Sequence, residues 1–304
     1  MAKVQLLPAA SRRPGQAETA SALSLSARMP RLVLEARRVA ASMAHGLHGR
    51  RRAGAGETFW QFRPFVAGEA AGRIDWRRSG RDDRLYVRER EWEAPHAIWL
   101  WVDRSASMAF GSDLAEAPKI ERAIVLGLAL ADTFVDAGER VGLFGRLQPS
   151  AKRRIVEVIA ESYAIAGADE DDDLPGAIRL SRQDEAVLIG DFLAPLDEIV
   201  PRVEALSSGG ARGHLVMVVD PVEETFPFGG QAILREPEAG ISLRIGDAAA
   251  WGESYRLRMS AHRGAIAELC RRRGWSLTIH HTDRPASEAA LRVLALVAGA
   301  GRGA

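Results

Sequence analysis

The chain has 304 residues, 47% hydrophobic and 27% charged, which suits one large globular domain or two modest ones with a sizeable core. A single cysteine, Cys270, excludes an internal disulfide and a cysteine-based zinc site, and no run of eighteen apolar residues offers a membrane span. The net charge of +1 hides an asymmetry: residues 1–95 carry 18 Lys/Arg against 10 Asp/Glu, whereas residues 96–304 carry 23 against 30.

Residues 1–27, rich in Ala, Ser, Pro and Arg with no apolar period, predict a disordered tail. The opening MAKVQLLPAASRRPG lacks the continuous apolar core of a secretory signal. Together with the lone cysteine this points to the cytoplasm. From Pro30 to His45, Leu32, Val33, Ala36, Val39, Ala40 and Met43 fall at helical spacing. A basic, glycine-broken loop (HGRRRAGAGE) and an aromatic extended stretch (TFWQFRPFV) follow. In RLYVREREWE the residues alternate, so residues 28–95 are expected to form a helix plus a small, basic, β-rich arm.

After Pro95 the pattern changes. HAIWLWVD is apolar on both faces, as a central strand of a covered parallel sheet is. Helices and strands then alternate. Helices are predicted at 119–138, 152–167, 175–181, 195–210, 253–274 and 287–301. Strands are predicted at 139–145, 185–192, 213–221 and 275–281, with a small antiparallel pair at QAILRE and ISLRIG. The expected architecture is α/β: a mostly parallel sheet flanked by helices over residues 96–285, closed by a C-terminal helix over 286–304.

Ligands of open α/β sheets collect at the carboxyl ends of the strands. Here Trp99–Val102 runs into Asp103-x-Ser105-x-Ser107, Val187–Ile189 into Gly190-Asp191, and Val216–Val219 into Asp220. The acidic loop 169–173 is a fourth concentration of carboxylates. Carboxylates and hydroxyls are hard oxygen donors, suited to Mg²⁺, Mn²⁺ or Ca²⁺ rather than zinc or copper. In an extended turn Asp103, Ser105 and Ser107 point to one side, so two hydroxyls can bind a cation while the carboxylate braces it. An Asp followed by Ser at a strand end also serves simply to cap the next turn.

Two motifs carry a family resemblance. D-R-S-A-S-M after an apolar strand resembles the metal-ion-dependent adhesion site of von Willebrand factor A domains. The upstream stretch FWQFRPFVAGEAAGRIDWRRSGRDDRLYVREREWE resembles the signature of the bacterial domain of unknown function 58 family, which places a similar block just before its DxSxS strand. The combined likeness covers about residues 46–110 and continues more weakly to about residue 285. It implies a von Willebrand factor A-like, Rossmann-like fold with Asp103, Ser105 and Ser107 as the first metal loop. The family's second loop maps onto Asp172-Asp173-Leu174, with Asp172 where Thr is usual, and the third loop maps onto Asp191. The resemblance also implies a MoxR-type AAA ATPase as partner, together with a protein client.

Two functions of different class follow from the same rim. One is a non-enzymatic protein-interaction adaptor that uses Mg²⁺. The alternative is an Mg/Mn-dependent phosphohydrolase using Asp103, Asp172 and Asp191, with Asp103 as nucleophile; Ser105 stands where such enzymes need a second Asp. No G-x-x-x-x-G-K-[ST] loop and no G-x-S-x-G elbow occurs. The arginines of the arm (Arg50, Arg51, Arg52, Arg77, Arg78, Arg81, Arg84) could meet phosphates, but a basic arm beside an acidic remainder favours internal pairing over nucleic acid. His280 and His281, adjacent in a strand, face opposite ways and do not chelate one ion. Trp76 is expected to bury its ring and Asp75 to pair with an arginine such as Arg88.

Overall fold

The computed structural model describes residues 14–47, 59–66, 69–81, 84–90, 96–165, 173–176, 178–235 and 242–300. In chain order these form helix α1 (Pro14–Leu47), strand β1 (Phe59–Pro64), a one-turn helix α2 (Trp76–Ser79), β2 (Tyr86–Arg90), β3 (Ala97–Val102), α3 (Lys119–Asp136), β4 (Arg140–Leu143) and β5 (Leu147–Ser150). Then come α4 (Ile155–Ile165), β6 (Asp184–Gly190), α5 (Leu196–Ser207), β7 (Arg212–Val219), α6 (Pro221–Thr225), β8 (Ala232–Arg235), β9 (Ser242–Ile245), α7 (Gly252–Arg272), β10 (Ser276–His281) and α8 (Ala286–Ala300).

The main sheet has the order β10-β7-β6-β3-β4-β5. Every neighbouring pair is parallel except β4–β5, a hairpin that closes one edge. Alternation along the strands separates two cores. Ile98, Leu100, Val102, Val187, Ile189, Val216 and Val218 face α1, α3, α4 and α8. Trp99, Trp101, Ala186, Leu188, Leu215, Met217 and Val219 face α5 and α7. With both faces covered, the strands can be apolar throughout, as the parallel architecture requires. The short antiparallel pair forms as expected, with Ala232 opposite Ile245. Packing is tight where β7 meets the residue that leads into β10: a Cβ on Gly213 would lie 2.2 Å from the Trp275 ring.

The first third departs from the sequence expectation. Helix α1 begins at Pro14, inside the stretch 1–27 expected to be a tail, and continues through Pro30, whose ring is on the exposed side; residues 1–13 lie outside the described residues. Met29, Leu32, Ala36, Ala40 and Met43 are buried at helical spacing against α3, α4 and α8. This burial offsets the hydrogen bond lost at Pro30. The compact units are therefore divided differently from the expected 28–95 and 96–285: residues 1–49 with 96–304 form one, and residues 50–95 the other. In the smaller unit β1 and β2 pair antiparallel, Arg78 lies 4.6 Å from the Tyr86 ring centre, and Ile74 is buried. Among the described residues Asp75 pairs with no arginine side chain, and the side chain of Arg88 lies outside them. Asp75 caps α2, accepting from Arg78 N at 2.9 Å, while Trp76 is 64% exposed.

The predicted helix over 175–181 does not form; the described residues of that stretch are irregular. A helix so short repays little of its nucleation cost, and Leu180 and Ile178 reach the core without one. No described helix is long and apolar enough to cross a membrane.

Candidate functional site

From β3 the chain continues to β4 on one side and later returns to β6 on the other, so the crevice between the carboxyl ends of β3 and β6 is the switch point of the sheet. Asp103 follows β3 and Asp191 follows β6. Asp103 is 1% exposed. Its Oδ1 accepts from Ser105 N at 2.9 Å, so it does cap the turn that the following 3-10 segment Ala106–Ala109 extends. Its Oδ2 is buried and has no hydrogen-bond partner among the described residues. Gly190 makes this approach possible: a Cβ there would lie 2.7 Å from Asp103 Cβ and 2.9 Å from Oδ2.

The serines complete the arc. Ser105 Oγ lies 3.1 Å from Ser107 Oγ, and Ser107 Oγ donates to Asp191 Oδ2 at 2.7 Å. Leu193 N donates to Asp191 Oδ1 at 3.2 Å. The turn carries Phe192 at φ 50°, a left-handed conformation unusual for an aromatic residue. That strain is held by burial of the Phe192 ring beside Trp101. Four of the five expected metal ligands, Asp103, Ser105, Ser107 and Asp191, thus meet at one rim. The fifth, Asp172, lies outside the described residues; its neighbour Asp173 is close enough for its charge to act on Asp103.

Burial pushes the Asp103 carboxyl up to about 7, the nearby Asp191 charge adds to the rise, and the hydrogen bonds from Ser105 oppose it. A buried carboxyl held in this way has a strong appetite for positive charge.

Sequence reasoning missed two members of the rim. Lys119, the first residue of α3, is completely buried and donates to Asp191 Oδ2 at 2.8 Å and to Glu223 Oε1 at 2.6 Å. Burial alone would lower its pKa, but the Asp191 and Glu223 carboxylates outweigh that and hold it above its ordinary value. Glu223 closes a capping box on α6 through Asp220 N at 2.9 Å. Asp220, the third strand-end acid, is committed to structure: it accepts from Val222 N, Ser112 N and Ser112 Oγ. Signals for both residues were present. D-P-V-E at 220–223 is a capping-box pattern, and a lysine at a helix N-terminus opposes the helix dipole unless carboxylates face it.

His280 and His281 are not among the residues that meet at the rim. His280 is buried, and burial lowers its pKa to about 4; His281 pairs with Glu224.

The donor set fits a hard divalent ion: two hydroxyls and two carboxylates, one with an orphaned buried oxygen. Among the described residues no three His, Cys, Asp or Glu side chains form a metal cage by themselves, so any such site depends on the serine hydroxyls.

Fold and rim together define an α/β protein with a hydroxyl–carboxylate cluster at the switch point of a mostly parallel sheet. The family model described as "Protein of unknown function DUF58" matches residues 61–265, and the chain belongs to that family. It is 27% identical over 284 residues to Uncharacterized protein Mb1516 of Mycobacterium bovis and to Uncharacterized protein Rv1480 of Mycobacterium tuberculosis, in each case covering 86% of both chains. Among solved structures it is similar to the conserved hypothetical protein BatB from Bacteroides thetaiotaomicron, at 15% identity and a TM-score of 0.42, covering 67% of this chain and 99% of that one. An aerotolerance-related membrane protein from Bacteroides fragilis matches at 16% identity and a TM-score of 0.39, covering 65% of this chain and 97% of that one.

Proposed function

We propose that this chain is a non-enzymatic protein-interaction module with a von Willebrand factor A-like binding rim, an adaptor between a MoxR-type AAA ATPase and a protein client. The observation that carries this reading is the orphaned Oδ2 of Asp103, buried beside two serine hydroxyls and Asp191. Asp103, Ser105, Ser107 and Asp191 would hold Mg²⁺, with Asp172 or Asp173 supplying further negative charge. Bound there, the ion supplies a Lewis-acid centre that a carboxylate of the partner can complete. The protein's own contribution is preorganisation. The Asp103 turn fixes the serines, the strained Phe192 turn fixes Asp191, and Leu193 and Leu114 on the same edge are 40% and 50% exposed, giving a partner apolar contact.

The rim suits binding better than phosphoryl transfer. A nucleophilic Asp103 would have to be accessible to a phosphoryl group, whereas it is 1% exposed.

The test is capture of a MoxR-type ATPase of the same genome by the full chain, with Mg²⁺ or with EDTA. Capture in Mg²⁺ that falls by about tenfold or more in Asp103→Ala supports the adaptor, a change equal to about 1.4 kcal/mol. No capture by the wild type under either condition would sink it. Phosphatase turnover in Mg²⁺ or Mn²⁺ that disappears in Asp103→Ala would install the hydrolase instead.

A further inference from the structure

We propose that Lys119 is a built-in cation of the rim that competes with a divalent ion for Asp191, so that this lysine sets how readily the site loads with metal. The proposal deepens the adaptor reading and rests on its assignment of the rim as a cation site.

The geometry carries it. Asp191 Oδ2 accepts from Ser107 Oγ at 2.7 Å and from Lys119 Nζ at 2.8 Å, while Oδ1 is occupied by Leu193 N. No oxygen of Asp191 is therefore idle. The oxygen that faces the serines, the one a metal would need, is the one the ammonium holds. At the other end of the rim, Asp103 Oδ2 has no hydrogen-bond partner among the described residues. The cluster is satisfied at the Asp191 end by a charge from its own chain and unsatisfied at the Asp103 end. A divalent ion held by both Asp103 and Asp191 would stand within a few ångströms of Nζ, where two cations repel strongly in a site shielded from water.

Lys119 is not free to leave at no cost. Its ammonium is completely buried, so it stays where carboxylates surround it: Asp191 on one side and Glu223, 2.6 Å away, on the other. Glu223 is anchored in turn by Asp220 N at the start of α6, and Phe110 flanks the ammonium at 5.9 Å. Glu223 thus gives the lysine a second berth. Because Nζ already holds Glu223, it stays paired when Asp191 is surrendered to the metal. Loading of the rim is on this account an exchange of one cation for another rather than the filling of an empty cage.

Removing the charge at position 119 must then tighten metal binding, although a ligand-side hydrogen bond is lost. The test is Mn²⁺ binding to the purified full chain, followed by the electron paramagnetic resonance signal of free Mn²⁺. Lys119→Met is expected to bind Mn²⁺ about tenfold or more tightly than wild type, the scale on which one nearby charge acts. Lys119→Gln, which retains a hydrogen-bond donor for Asp191 and guards against misfolding of the Met variant, is expected to follow it. Lys119→Arg, which keeps the charge, is expected to stay near wild type. Adding Asp103→Asn to Lys119→Met should abolish the gain, locating the ion at this rim. Mn²⁺ affinity in the Met and Gln variants equal to or below that of wild type overturns the proposal, and so does a gain of equal size in Lys119→Arg. No partner protein enters this measurement, so a failed ATPase capture and a failed charge competition are told apart.

Discussion

Asp103 links the chemistry of the rim to the stability of the fold. Its carboxyl has an ordinary value of 3.8 and is raised to about 7 in the folded chain. Between those values the folded state holds a proton that the unfolded state has released, so rising pH destabilises the protein through this group, and the loss is complete above about pH 7. The effect is on the order of a few kcal/mol at most. His280 titrates in the opposite sense over much of the same window. Lowered to about 4, it contributes stability above the unfolded histidine value that is lost as pH falls. The clean readout is therefore the difference between Asp103→Asn and wild type, measured by urea unfolding with a chelator present. The Asn variant should gain on the wild type as pH rises from about 4 to 7 and hold that gain above it; a difference independent of pH would show that Asp103 is not raised. At this scale the sequence was informative where the chemistry is local. D-x-S-x-S after an apolar strand disclosed Asp103, Ser105 and Ser107 because a turn of five residues sets their directions. Lys119 and Glu223 were not disclosed. They are 104 residues apart and meet only because β7 delivers α6 to the carboxyl edge beside the start of α3.

Helix α1 shows how an element acquires its role from what covers it. Arg28 and Arg31 both pair with Glu121, which is 3% exposed in the first turn of α3, and Leu32 is fully buried one turn further on. Leu32→Ala should cost about 2–5 kcal/mol in chemical unfolding. Leu34→Ala, two residues along on the exposed side at 58%, should cost less than about 0.5 kcal/mol. Equal costs at the two positions would mean that the helix is not packed as described. Gly213→Ala puts a methyl group into the Trp275 ring and should cost about 1–3 kcal/mol, visible as a lower urea midpoint with an unchanged slope. Apolar periodicity announced α1 between Pro30 and His45, where Leu32, Ala36, Ala40 and Met43 are buried. It did not announce the turns before Pro30, because Ala and Ser have no period of their own and proline usually ends a helix. The short helix expected over 175–181 does not form, although Leu180 is buried and Ile178 packs against the core: proline and a few apolar residues satisfy the local signals, but so short a stretch does not repay helix nucleation.

At the scale of the whole molecule, the smaller unit, residues 50–95, interrupts the larger one between α1 and β3. An inserted unit with its own contacts can be removed without dismantling its host. Replacing residues 50–95 by a flexible Gly/Ser linker of about 15 residues should leave a cooperative thermal transition and α/β circular dichroism. Loss of the transition would show that the smaller unit is integral to the larger. The sequence by itself determined the layered α/β plan, because period-two and period-3.6 patterns report which side of each element leaves water. It also determined the Asp103-x-Ser105-x-Ser107 turn, whose residues are neighbours in the chain. Only the tertiary structure decided that α1 belongs to the sheet's core, that Asp103 and Asp191 share one crevice, and that an ammonium from α3 lies against Asp191. Those facts depend on strand order and on which helix end reaches the rim, and contacts between groups about a hundred residues apart leave no period for a linear pattern to record.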